Sequence, residues 1–298
     1  MIVLHEQALR ASQSKGIALV ALSTVTWGSG GLFVRLLPLD LGTVLFWRGL
    51  FAAIFIGAYV LLRFGRRFPG LVMAMGRQGI LITLCSTAST ILFVAAVQHT
   101  SVANAFTILA ALPFVAAAIA WLWMGERPSG LTMTASAIAF VGIIIMFRPT
   151  AGGPNLGDLL ALCGTVAQAL MTVAIRRNRS VEILPIAWLS VLLSVAIAIP
   201  LAQSLWALTP RDYAVAAGFG LIAVALGQVL YMTGSALIPA PLTALIGTME
   251  APLAALWAWI GIGEVPAAST FIGGGIVLAS VLGRLLLERR SFYPLKHG

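Results

Sequence analysis

Glu250 is a carboxyl near the middle of a long apolar stretch, with Thr243, Gly247 and Ala254 at helical spacing on the same face. An acid so placed can contact a substrate ammonium group, take up a coupling proton, or form a buried hydrogen bond between helices. Arg48, next to Trp47, lies about one-third of the way into another apolar stretch. It can meet a substrate carboxylate, pair with Glu250 as a gate, or snorkel to the nearest interface along its own aliphatic stem. Gln168 is an amide in mid-stretch and shares a face with Thr165 and Thr172; Thr24, Trp27 and Gly31 form the corresponding face of an earlier stretch. Gln228, Tyr231 and Ser235 make a third polar face, and Asn104, Thr107 and Ala111 match the face that carries Glu250. Thr83, Ser86, Thr87 and Thr90 read as packing hydroxyls.

One acid, one base, amides, hydroxyls and an aromatic wall suit the reversible recognition of a small polar molecule. Covalent chemistry is poorly provided for. The histidines, His5, His99 and His297, stand at stretch ends or in tails, so an intramembrane serine would have no histidine base and HExxH is absent. No GxxxxGK phosphate loop occurs, so ATP hydrolysis is not expected, and no cofactor or metal is implied. The two cysteines, Cys85 and Cys163, are expected to act as small hydrophobes.

The elements that must position these residues follow from composition. Of 298 residues, 60% are hydrophobic and 9% charged, and the mean hydropathy is +1.02. A soluble domain is about one-quarter charged, so this chain cannot cover a water-facing surface. Spans of about 20 apolar residues satisfy their own backbone amides as helices, and runs without polar alternation exclude a β-barrel. The pattern predicts an all-α integral membrane protein of about ten helices at roughly 16–35, 41–62, 79–98, 101–123, 130–147, 157–176, 184–206, 213–237, 241–262 and 268–287.

Of the 18 Lys and Arg residues, Arg35, Arg148 and Arg211 fall on one side and Arg48 inside a span; the rest lie on the side that holds both termini. That asymmetry predicts cytoplasmic termini. It also accounts for the net charge of +9 as an orientation signal, and no nucleic-acid partner is expected.

The stretch from Pro113 to Pro128, PFVAAAIAWLWMGERP, returns as PLAALWAWIGIGEVP from Pro252 to Pro266. Gly16 and Gly157 open the first and sixth spans, and Arg35 and Arg176 close them at the same offset. The chain thus divides into a tail 1–15, repeats 16–150 and 151–287, and a tail 288–298. A repeat of five spans is odd, so the second copy enters with opposite orientation, and inverted repeats place a substrate cavity between the halves. Pro113 and Pro252 are expected to kink their helices at equivalent positions and shape that cavity.

The paired Pro…Gly-Glu closings, Pro113/Gly125-Glu126 and Pro252/Gly263-Glu264, with the turns around Ala95–Ala105 and Ser235–Ala244, resemble the ten-span EamA-type members of the drug/metabolite transporter superfamily. Within it the chain looks like the bacterial exporters of aromatic amino acids. The resemblance implies a bacterial inner-membrane exporter with a basket-like bundle, driven without ATP. Its partners would be a small-molecule substrate and the bilayer, with the oligomeric state open. Hydrophobic or cationic drug-like compounds are the alternative substrates.

Overall fold

A computed structural model describes residues 2–100, 102–147, 155–178, 181–263 and 265–291. The side chains of 2–10, 41, 97–98, 102–104, 147 and 288–291 lie outside that description. Asn104 as a site residue, and Glu264 and Arg148, therefore fall outside the described residues.

Among those residues the chain is helical, in the order α1 (Ile2–Leu36), α2 (Leu41–Phe64), α3 (Phe68–Ala74), α4 (Gly76–His99), α5 (Val102–Leu109), α6 (Leu112–Met124), α7 (Gly130–Phe147), α8 (Leu156–Arg177), α9 (Ile183–Ala198), α10 (Pro210–Phe219), α11 (Gly227–Ser235), α12 (Ala240–Gly247), α13 (Glu250–Ile262) and α14 (Ala268–Ser291). Nine helical segments are long and apolar enough to cross a membrane, and the shorter apolar helix Gly130–Met146 makes a tenth candidate. The chain is a multi-pass membrane protein.

Several spans are composite. A π-helical segment, Gly220–Leu226, joins α10 to α11. The pairs α5/α6 and α12/α13 are interrupted at Ala110–Ala111 and at Thr248–Met249. Sequence predicts kinks at Pro113 and Pro252; the structure shows a two-residue turn ahead of each proline, with the backbone right-handed at Ala111, Thr248 and Met249. A proline donates no N–H to the carbonyl four residues earlier, and its ring collides with that carbonyl, so the helix restarts. At both breaks the last turn tightens, with Ala111 N donating to Ile108 O and Thr248 N to Leu245 O.

The ends are chemically marked. Asp40 caps α2 by accepting from the Thr43 amide at 2.9 Å and its hydroxyl at 2.6 Å. Asn155 with Asp158, and Thr209 with Asp212, form reciprocal capping boxes for α8 and α10. The glycine of each repeated Gly-Glu closes its helix in the left-handed region, Gly125 at φ 68° and Gly263 at φ 71°.

The main packing partners are α4 with α8, α7 with α14, α1 with α13 and α11, α2 with α9, and α6 with α8. Each of these pairs joins a helix before residue 150 to one after it. Lipid offers no hydrophobic drive between helices, so close approach through small residues matters. At the α7–α14 crossing, a Cβ on Gly273 would lie 2.3 Å from the Gly142 carbonyl oxygen.

One end of the bundle is packed shut. There α1 meets α11 across Gly16 and Gly234. Val20, Ile175, Ile238, Leu242, Leu245 and Ile246 are fully buried. Arg176 pairs with Glu126 at 3.3 Å, and the Arg177 guanidinium lies 5.1 Å from the Trp123 ring centroid.

Candidate functional site

Toward the other end the helices part around a cavity of about 960 Å³. Its wall draws on Trp27 to Arg35 of α1, Val44 to Gly49 of α2, Ser89 to Val94 of α4, both members of each broken pair, and Phe219 to Tyr231 of the π-containing span. It runs from the 265–267 connection at the mouth to Trp27, Tyr231 and Ala244 in the depth.

Tyr231 forms the floor. It is 1% exposed, its hydroxyl shares a 2.9 Å hydrogen bond with Thr172, and its ring lies 4.7 Å from that of Trp27. Trp27 fits there because Gly227 has no side chain: a Cβ would come 2.5 Å from the indole Cδ1. A buried tyrosine needs a partner for its hydroxyl, and Thr172 supplies it while the ring stays apolar.

Glu250 is the first residue of α13, set at the break ahead of Pro252. It lines the cavity, and its carboxyl takes no hydrogen bond or ion pair among the described residues. Arg48 also lines the cavity, with its guanidinium 5.1 Å from the centroid of the Phe219 ring. That ring is stacked in turn on Phe33 at 5.4 Å. The aromatic platform holds the cation by its quadrupole and leaves its N–H donors for another partner. Arg48 and Glu250 form no ion pair with each other, so the gate pairing considered from sequence is absent in this conformation.

Gln168 and Gln228 line the same cavity. Gln228 donates to Ser190 Oγ at 2.7 Å and to Ser86 Oγ at 3.0 Å, tying α11 to α9 and α4.

Six of the sequence candidates are therefore brought together: Trp27, Arg48, Gln168, Gln228, Tyr231 and Glu250. Thr24 is not one of them. It is fully buried, and its hydroxyl donates to the Ala21 carbonyl at 2.7 Å, one turn toward the packed end from Trp27. Thr107 is half-buried on α5, outside the cavity wall. Sequence reading missed the aromatic residues Phe93, Phe106 and Phe219, which look like ordinary span residues. It also read Ser86 as packing and passed over Ser190, although Ser190 and Ser194 recur four residues apart on one helical face.

Described residues offer no cluster of three or more metal-ligating side chains. Arg48 and Glu250 thus put charges of both signs on one cavity wall, with no ion pair between these two.

The EamA-like transporter family model matches this chain twice, over residues 14–148 and 155–286. An uncharacterized transporter of Archaeoglobus fulgidus is 25% identical over 275 residues, which span 90% of this chain and 95% of that one. One solved crystal structure shares the fold with a TM-score of 0.75 at 17% identity, over 94% of this chain and 99% of the other.

Proposed function

The chain belongs to the EamA-like transporter family, within the drug/metabolite transporter superfamily, and from that premise we propose that it exports aromatic or other neutral amino acids by alternating access. The observation that carries this reading is the presence of two opposite charges, Arg48 and Glu250, with no ion pair between them, in one cavity walled by aromatic residues. A zwitterion presents a carboxylate and an ammonium group, and burying either without a partner is costly. Arg48 would receive the carboxylate, Glu250 the ammonium group, and Trp27 and Tyr231 the planar side chain.

Two matches of one family model, each covering five spans, support inverted halves around the cavity. The packed end is the one rich in Lys and Arg, so the positive-inside rule puts it in the cytoplasm and the cavity mouth outside. On this reading the conformation is outward-open, in a bacterial inner membrane. Glu250 is also the group available for exchange of a coupling proton through the cavity.

The size of the cavity favours a second reading. About 960 Å³ lies at the top of the roughly 300–1,000 Å³ usual for small-molecule sites. Larger lipophilic cations would fit it, with Glu250 as counter-charge.

Counterflow in proteoliposomes separates the two. Labelled phenylalanine, tryptophan and threonine are compared with a lipophilic cation, with and without a proton gradient. Amino-acid flux without cation flux is expected; cation flux alone would assign the protein to drug efflux.

A further inference from the structure

Gln228 lies in the first turn of α11, directly after the π-helical segment Gly220–Leu226. A π turn changes the angular register of all that follows it, and such turns recur at functional sites. Here the second residue beyond it, after Gly227, is an amide with both its protons committed. Its Nε2 donates to Ser190 Oγ at 2.7 Å and to Ser86 Oγ at 3.0 Å.

Ser190 decides which way the amide lies. A serine hydroxyl has one proton, and that of Ser190 goes to the Ala187 carbonyl at 2.9 Å. Ser190 Oγ is therefore an acceptor toward Gln228, and the atom facing it must be the NH₂ group. The carbonyl oxygen Oε1 is turned away from both serines, takes no hydrogen bond among the described residues, and belongs to a residue of the cavity wall.

We propose that Gln228 is a specificity-determining residue, whose fixed carbonyl oxygen accepts a hydrogen bond from an N–H group of the substrate. The proposal rests on the reading of this cavity as the substrate site, and for an amino acid the donor is the ammonium group. Its role differs from that of Glu250. A carboxylate attracts any cation, including a quaternary ammonium without protons, whereas a neutral acceptor recognises only N–H. A site built to hydrogen-bond a substrate N–H rejects analogues that lack it, because its own polar atom is then left unpaired.

The test is the preference for phenylalanine over its N-trimethyl analogue, measured as the ratio of KM values in proteoliposomes. Wild type is compared with Gln228→Leu and Ser190→Ala. Gln228→Leu is expected to narrow the preference about tenfold, or roughly 1.4 kcal/mol. Ser190→Ala retains the amide but frees it to turn, and is expected to narrow the preference less. Thermal stability is followed in parallel, since a purely structural tie between helices would lower it and raise both KM values equally. That result overturns the proposal, as does an unchanged preference in both variants. Should Gln228→Leu fail to fold, Ser190→Ala decides alone. If wild type moves no amino acid, the amino-acid reading fails separately. The same comparison is then made with a lipophilic primary amine and its trimethyl counterpart, where a narrowed preference upholds the acceptor and an unchanged one overturns it.

Discussion

The breaks at α5/α6 and α12/α13 are built alike and carry different chemistry. Each lasts two residues, each precedes a proline, and each broken span ends on a glycine with φ near 70°. Two positions before the proline, the first has Ala111 and the second Glu250. Backbone geometry is thus repeated while the charge is confined to one copy. The second interruption thus puts a carboxyl on the cavity wall where the first has a methyl group.

The largest expected effect comes from erasing that difference. Glu250→Ala should lower amino-acid transport about a hundredfold, equivalent to roughly 2.7 kcal/mol. Moving the acid to the other copy, with Ala111→Glu added, should not restore it; counterflow rates read both. Recovery of transport in the double variant would mean that the two breaks are interchangeable.

A region outside both breaks should behave oppositely. Gly273→Ala puts a methyl 2.3 Å from the Gly142 carbonyl oxygen, and such overpacking costs about 1–3 kcal/mol. Thermal denaturation in detergent should show the loss, with KM unchanged in the protein that remains folded.

Replacing each proline in turn separates the two interruptions. With Pro252→Ala the missing N–H returns and the ring clash disappears, so α12 and α13 can join and Glu250 shifts. Transport should fall about tenfold while stability holds. Pro113→Ala, which displaces no charge, should cost less, and equal losses would count against Glu250 as the source of the asymmetry.

The smallest effect belongs to the cap of α2, outside the cavity wall. Burial alone would raise the Asp40 carboxyl, but hydrogen bonds from the Thr43 hydroxyl and amide and from the Gln203 amide outweigh it and hold it below its ordinary value. A carboxyl lowered on folding contributes stability that is present above its unfolded value, about 3.9, and lost as pH falls through the folded value. Asp40→Ala should therefore cost about 1 kcal/mol, the usual worth of such a cap. The difference from wild type, read from denaturation at several pH values, should shrink in acid below about pH 4.

The helical membrane class and the positions of the spans were legible in the sequence, because apolar run length and short polar breaks are direct consequences of bilayer thickness. The two prolines also announced where the fourth and ninth spans bend. They did not fix the form of the interruption, a two-residue turn, because how far a helix opens at proline depends on its neighbours. The π-helical segment left no trace in residue types. For the site, charged and amide residues stood out against hydrocarbon, so Glu250, Arg48, Gln168 and Gln228 could be found. Phe219 could not, since a phenylalanine in a span has many uses and only packing selects one, and the Ser190/Ser194 spacing was a weak signal for the same reason. Thr24 shows the converse error: its spacing places it one turn from Trp27, but its hydroxyl is spent on its own helix.

On the proposed reading, Arg48 and Glu250 hold the two ends of a zwitterion. The most direct measurement compares KM for phenylalanine, phenylalanine amide and the des-amino acid in wild type, Arg48→Gln and Glu250→Gln. Arg48→Gln is predicted to abolish the preference for phenylalanine over its amide, and Glu250→Gln its preference over the des-amino acid, each without the other. If both variants keep the wild-type order of the three ligands, the charges do not contact the substrate and the account is wrong.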